Sequence, residues 1–400
     1  MSVSNLLPYS APDWCKNHFT KIPEYRISLG NLPTPLHCWT RTFSIKNTFS
    51  VDEQGITSVK GIFNHLNITF IMKRDDMSGG CELGGNKIRK LEFLLADCIN
   101  RQCDTLVTIG GEQSNHCRAT AAAARMVGVE PHLILRRKHS RPHDSADGDW
   151  LGSTGNILFD RIVGASIYTC TPREYGEIGS HELIRRLSQY LMSNNQDRKI
   201  YSIPVGGSNG LGTWGYIQAI DEILHQMKLS EFKKELHIVF ATGSGGTAAG
   251  ITLGMALACH HNNLPIPTMH AIGVCDDPDY FYSCIADIAQ DMGFVVPSSI
   301  HHGSSPSLLG THSKTMDQYI RSILNVYQGK GFGYATSSKE ELEFISNFSI
   351  EYGVALDPVY SGKAFYHFVT QVICKNVRHF RDTTVLFWHT GNFHLFPLLA

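Results

Sequence analysis

Four stretches of the chain share one pattern: an apolar run ends in glycine and small polar residues. They read IGGEQSNH (Ile109 to His116), IPVGGSNGLG (Ile203 to Gly212), ATGSGGTAAG (Ala241 to Gly250) and HTGN (His389 to Asn392). One such end is an ordinary tight turn. Four in parallel point to a shared site, because open α/β sheets bind ligands at the carboxyl ends of their strands. The segments between them alternate accordingly. TFIMKRDD, TLVTIGG, HLILR, ASIYTC, KIYSIPVGG, LHIVFATGSGG, HAIGVCDD and TTVLFWHTG read as strands. NKIRKLEFLLADCIN, SNHCRATAAAARMVG, NILFDRIVG, HELIRRLSQYLMS, TWGYIQAIDEILHQM, TAAGITLGMALACHH and KEELEFISNFSIEYG read as helices. This β-α-β alternation predicts an α/β fold with mostly parallel, open twisted sheets flanked by helices. About ten strands exceed one comfortable doubly wound sheet, so two sheets and two domains are expected over the 400 residues.

The bulk composition narrows the function classes. Lys+Arg is 35 and Asp+Glu 36, which gives no reason to expect nucleic acid or an anionic membrane as partner. The 11 cysteines include no Cys-x-x-Cys pair, so free thiols are expected. The adjacent pairs His260-His261 and His301-His302 do not share a helix face, and no His-Glu-x-x-His occurs, so no metal site is expected. The first residues lack a long apolar region and no run of about 18 apolar residues follows, so neither a secretory signal nor a membrane span is expected. A cytoplasmic location is the expectation, with a mitochondrial one as the alternative.

Two features carry chemistry. In FATGSGGTAAG a strand runs into Thr242, Gly243, Ser244, Gly245, Gly246 and Thr247, and a helix follows. Glycines let backbone N–H groups approach an anion, and the helix dipole and hydroxyls complete a phosphate cradle. Gly243, Gly245 and Ala248 also fit a loose dinucleotide fingerprint. The acidic residues that follow, Asp276 and Asp277, lie further on than the usual spacing, so a nicotinamide oxidoreductase is the rival. The second feature is GGNKIRKLEF, a lysine between Gly-Gly-Asn and a helix. A solvated turn lysine is its plain alternative. A phosphate cradle together with a set-apart lysine points to pyridoxal 5′-phosphate, whose aldehyde needs an amine and whose phosphate needs a nest.

GGNKIRKLEF, GGEQSNHCRATAAAAR, IPVGGSNGLGTWGY, CDDPDYFY and LDPVYSGKAF resemble the D-cysteine desulfhydrase and 1-aminocyclopropane-1-carboxylate deaminase family. That family belongs to the tryptophan-synthase-β-like, fold-type II pyridoxal-phosphate enzymes. The resemblance runs from about Leu32 to Phe396. It implies an active site between a large cofactor-binding domain, 1–88 plus 204–400, and a small α/β domain, 89–203. Lys87 matches the Schiff-base lysine and Lys90 a phosphate-contacting lysine. Ser114, Asn115 and His116 match the substrate-carboxylate loop, with Asn115 also beside the cofactor's ring hydroxyl. Ser114 and Tyr360 match groups close to the reacting atoms, and Tyr280 or Tyr282 is expected to supply a second tyrosine. A homodimer with a small amino-acid substrate is implied.

Three positions separate the two activities. The deaminases carry glutamine at the position of His116, glutamate at Ser361 and leucine at Thr390. A hydroxyl at the pyridine nitrogen keeps the ring a weaker electron sink and favours prompt β-elimination. The resemblance therefore implies a carbon–sulfur lyase converting D-cysteine to pyruvate, ammonia and hydrogen sulfide. Cyclopropane deamination, or elimination from another β-substituted D-amino acid such as D-serine, is the alternative. Two departures bear on the substrate: Asn392 stands where the family has a second glycine, and the polar stretch from Lys138 to Asp149 is longer than usual.

Overall fold

A computed structural model describes residues 5–39, 51–52, 55–56, 58–80, 82–137, 152–228, 234–297 and 312–391. Cys81, the stretch Lys138 to Asp149, the pair His301-His302 and Asn392 to His394 lie outside the described residues. The continuous apolar runs form buried strands, as parallel sheets covered on both faces require. Leu236–Thr242 is the extreme case, with all seven residues buried.

Two main sheets result. The larger has six strands in the order Leu324–Gln328, Thr268–Gly273, Leu236–Thr242, Thr384–His389, Thr69–Arg74, Leu36–Trp39. All its pairs are parallel except the last. The smaller has four parallel strands, Ile200–Ile203, Thr105–Gly111, Glu130–Arg136, Ser166–Cys170. Both outer strands of the larger sheet are additions to the sequence reading. Leu324–Gln328 and Leu36–Trp39 are short and only partly buried, so neither carries the apolar run that marked the others.

Small residues set the helix packing under the larger sheet. Helix Gly246–His261 packs on helix Gly210–Gln226. A Cβ added at Gly250 would collide with Tyr216, and one at Gly254 would lie 2.8 Å from Ile220 Cγ1. The helix is buried on all sides from Gly246 to Cys259.

A buried charge cluster anchors helix Lys87–Asn100 to this core. The Arg89 guanidinium donates to Asp75 at 2.7 and 3.0 Å and to Glu222 at 2.9 and 3.0 Å. Lys73 bonds to Glu222, and to the Thr34 carbonyl at 2.8 Å. Asp75 also accepts from Tyr216 and Trp388, each at 2.8 Å, and from Thr34 at 2.9 Å. Asp75 is fully buried, which pushes its carboxyl up, but Arg89, Lys73 and the Trp388 hydrogen bond together hold it below the usual range. Such a cluster holds only when every charge is paired and hydrogen-bonded. It fixes the first turn of the helix two residues after Lys87.

Candidate active site

The four glycine-rich strand ends converge on one cavity of about 680 Å³ between the two sheets, within the range of about 300–1,000 Å³ usual for small-molecule sites. Gly110 and Gly111, Gly206, Gly243 to Gly245, and Thr390 with Gly391 all line it.

Lys87 enters the cavity from the first position of its helix. Gly85 before it has φ 103° and donates to the Asp75 carbonyl at 3.2 Å, a backbone that favours glycine. Asn86 stands at the N-cap, but its side chain makes no capping bond to the helix. Its N–H donates to the Thr390 carbonyl at 3.1 Å and its side-chain amide to Thr247 Oγ1 at 3.0 Å. The lysine is thereby tied to the last strand and to the cradle. Burial pushes the Lys87 amine down to about 8. The neutral fraction therefore rises about fivefold from pH 7 to pH 8 and less than twofold above that. The rate of cofactor attachment should follow the same curve, read as growth of absorbance on adding pyridoxal phosphate to stripped protein at each pH. A rate that is flat from pH 6 to 9 would contradict this assignment.

Lys90, one turn on, is buried beneath the cradle rather than in the cavity wall. It donates to the Gly206 carbonyl at 3.2 Å and to Ser208 Oγ at 2.9 Å. Burial, and then the charge of Lys87, pushes its amine well below the ordinary lysine value. Ser208 Oγ also contacts Ser244 Oγ at 2.7 Å and accepts from the Gly246 N–H at 3.3 Å.

The cradle fits a phosphate on three observations. Thr242 Oγ1 is buried in the lining without a hydrogen-bond partner among the described residues. A Cβ at Gly243 would crowd Tyr360 Cε1 at 3.1 Å, and one at Gly246 would meet Lys90 Nζ at 2.7 Å. Lys90 has no carboxylate partner among the described residues. An anion seated on Gly243 to Thr247 supplies the missing acceptor and counter-charge.

The segment Ser114 to His116, expected to hold the substrate carboxylate, divides in two. Asn115 lines the cavity, and its Oδ1 accepts from Asn156 at 2.9 Å. Ser114 stands behind the wall as N-cap of helix Asn115–Met126, accepting from the Cys117 N–H at 3.2 Å. His116 is buried at the cavity edge, with Nε2 2.9 Å from Thr108 Oγ1 and Nδ1 3.3 Å from Thr120 Oγ1. Burial, then Lys87 and Lys90, push its pKa well down. It is a neutral ring with both nitrogens engaged.

Tyr360 lines the cavity, and its hydroxyl lies 2.6 Å from that of Tyr334. Burial pushes both phenols up, Tyr360 far up. Tyr334 was not singled out from the sequence. It lies in the loop GKGFGYATS that follows Leu324–Gln328, the outer strand absent from the sequence reading, and long-range bonds place this loop, among them Ser337 Oγ donating to the Pro358 carbonyl at 2.9 Å. Lys363, buried on helix Ser361–His367, donates to the carbonyls of Lys330, Gly333 and Thr336 at 2.8, 3.1 and 2.6 Å. Of the two tyrosines left open by the sequence, Tyr280 lines the cavity. Tyr282 turns away and donates to the Leu324 carbonyl at 3.0 Å.

Thr390 lines the cavity, whereas Ser361 is fully buried one layer behind. The Ser361 hydroxyl accepts from the Gly391 N–H at 3.0 Å and lies 3.0 Å from His389 Nδ1. It shapes the strand end that carries Thr390. Among the described residues, no group of three or more His, Cys, Asp or Glu is placed to hold a metal ion. No described helix is long and apolar enough to cross a membrane.

Known proteins match this arrangement over most of the chain. A family model described as pyridoxal-phosphate dependent enzyme matches residues 52–391. The chain is 40% identical over 385 residues to the bifunctional D-cysteine desulfhydrase/1-aminocyclopropane-1-carboxylate deaminase, mitochondrial, of Arabidopsis thaliana, covering 96% of this chain and 82% of that protein. It is 32% identical over 346 residues to a putative 1-aminocyclopropane-1-carboxylate deaminase of Thermotoga maritima, covering 86% and 94%. The crystal structure of an ACC deaminase homologue superposes with a TM-score of 0.65 at 27% identity, covering 93% of this chain and 92% of that one. With the lysine, cradle and cavity in place, these matches make the chain a member of the pyridoxal-phosphate dependent enzyme family.

Proposed function

We propose that the protein is a carbon–sulfur lyase that performs α,β-elimination on D-cysteine. One molecule of D-cysteine and one of water become pyruvate, ammonia and hydrogen sulfide. The observation that carries this reading is the meeting of the Lys87 amine and the Tyr334–Tyr360 hydroxyl pair on one cavity wall system. Bound in the cradle, pyridoxal phosphate supplies an electron sink for negative charge developing at the substrate's α-carbon.

The chain's own residues do the rest. Thr242 to Thr247, with Lys90 behind them, hold the phosphate. Asn115 and the start of its helix hold the substrate carboxylate. The Lys87 amine, brought near neutral pH by burial, takes the α-proton. Tyr360 and Tyr334, both kept protonated by burial, hold a proton for the departing sulfur; one phenol donates to the other, which leaves one hydroxyl hydrogen free for the leaving group. Thr390 offers the ring nitrogen a hydroxyl. Among the described residues, Asp276 and Asp287 are the only carboxylates in the lining, and both belong to the wall formed by helix Pro278–Asp291 and the residues leading into it. The two-domain division and a homodimer belong to the same proposal and rest on the family resemblance; a cytoplasmic location belongs to it too, with a mitochondrial one as the alternative that the name of the Arabidopsis relative supports.

The loaded protein should be yellow, absorbing at about 410–420 nm from a lysine–pyridoxal linkage. It should release sulfide and pyruvate one to one, faster from D- than from L-cysteine. A protein that stays colourless after reconstitution would refute the reading.

Deamination of the cyclopropane acid is the second reading, favoured by the names of the relatives. The double change Ser361→Glu with Thr390→Leu addresses it. A glutamate at fully buried position 361 would sit next to the Asp357 carboxylate, which already accepts the 361 N–H at 2.9 Å. It would also remove the hydroxyl that shapes the Thr390 strand end. D-Cysteine turnover should fall by about tenfold or more at equal absorbance from bound cofactor. Unchanged turnover would remove Ser361 and Thr390 from the account.

A further inference from the structure

The proposed chemistry leaves one cation of the cavity without a role. Among the described lining residues, the only lysine and arginine side chains are Lys87 and Arg136. Arg136 ends strand Glu130–Arg136, in register with Gly111 on the neighbouring strand. Its guanidinium rests over the Tyr175 ring, 5.0 Å from the centroid. Among the described residues it makes no hydrogen bond and no ion pair. A half-buried guanidinium with one face on an aromatic ring keeps its N–H edge free for a planar anion.

Its position relative to the reacting atoms follows from the sheet. A Cβ at Gly111 would lie 3.8 Å from Tyr334 Cε1, so Tyr334 crosses the cavity and touches the smaller sheet. Arg136 stands one strand further, about 5 Å along the sheet. It is close enough for its charge to oppose the upward push on the Tyr334 phenol. Tyr334 pairs with Tyr360, where the leaving group is protonated. Arg136 therefore lies beyond the leaving-group end of the substrate, whereas the α-carboxylate is held at Asn115. Ser180 and His181 line the same side. The cavity carboxylates, Asp276 and Asp287, come from the opposite wall, that of the larger sheet.

We propose that Arg136 forms a second anion subsite and that the protein takes β-substituted amino acids whose β-substituent itself ends in a carboxylate, such as S-carboxyalkyl cysteines. This rests on the lyase reading and extends its substrate class. The chemistry is unchanged. The α C–H and the Cβ–S bonds break, the sulfur leaves with the bonding pair and takes a proton, and the departing thiol carries the carboxylate away. The remaining three-carbon enamine takes up one water and gives pyruvate and ammonia, with no oxidant or reductant involved.

The test compares S-(2-carboxyethyl)-D-cysteine with its uncharged isostere S-(2-carbamoylethyl)-D-cysteine, reading pyruvate release by the loaded full-length enzyme. We expect kcat/KM to favour the carboxylate by about tenfold or more, mostly through KM. Arg136→Gln should bring the two substrates within about twofold of each other, and Arg136→Lys should retain part of the preference. Equal kcat/KM for the two in the wild-type enzyme, or activity on D-cysteine but on neither analogue, overturns the subsite. So does an equal loss on both in Arg136→Gln, which would place Arg136 at the α-carboxylate. The wild-type comparison decides the matter even if the variant fails to fold. A wild-type enzyme that releases no sulfide from D-cysteine refutes the underlying lyase reading instead.

Discussion

Replacing Lys87 by alanine should lower turnover of cofactor-loaded protein by at least about 10⁴-fold, because in the proposed reaction one side chain supplies both the covalent anchor and the α-proton base. The loss should be purely chemical. Burial lowers the Lys87 amine from 10.5 to about 8, so the folded state binds this proton less tightly than the unfolded chain. Stability from this group is therefore lowest below pH 8 and rises as pH climbs from about 8 to 10.5. Removing the amine relieves that penalty, so the variant should unfold at pH 7 no more easily than the wild type. The check pairs steady-state kinetics with urea unfolding of the cofactor-free proteins at pH 7. A Lys87→Ala protein within tenfold of wild-type turnover would place the chemistry elsewhere.

The largest stability effect is expected two residues along. Arg89→Met should cost about 3–5 kcal/mol, because it leaves the carboxylates of Asp75 and Glu222 buried without their principal partner. Tyr216, Trp388 and Thr34 still donate to Asp75, but neutral donors do not balance a buried charge. Lys73 remains near Glu222 and Asp75, which keeps the cost inside that range. The measurement is equilibrium urea unfolding of the loaded protein at pH 7. A change under about 1 kcal/mol would mean that solvent reaches Asp75. The same variant should loosen the first turn that presents Lys87 and so weaken cofactor binding, and its midpoint should rise less on adding cofactor than that of the wild type.

The parts of the site read from the sequence were those written as local pattern. Glycine at a strand end is visible in a few letters, so Gly110, Gly206, Gly243 and Gly391 were all legible, as was the lysine after Gly-Gly-Asn. Which side chains reach the cavity was less so. Tyr280 and Tyr282 are two residues apart on one helix, about 200° around its axis, and choosing between them needed the direction in which that helix packs. Ser114 and Ser361 lie in the expected motifs, but each hydroxyl is taken by nearby backbone N–H groups. Tyr334 and the Arg89 cluster were illegible for a different reason. Their partners are far apart in the chain, Lys73 with Glu222 and Arg89 with Asp75 and Glu222, and no short motif encodes such meetings.

Lys363 has a consequence for how chains of this kind can vary. Its ammonium gathers three carbonyls of the Tyr334 loop, and it stands three residues after Tyr360. A single substitution at 363 therefore disturbs both phenols, although neither tyrosine has changed. Positions 330 to 336 and 360 to 363 are mechanically one unit. Drift in the loop is free only while its carbonyls still meet the lysine, and the lysine is free to change only when the loop has found another anchor.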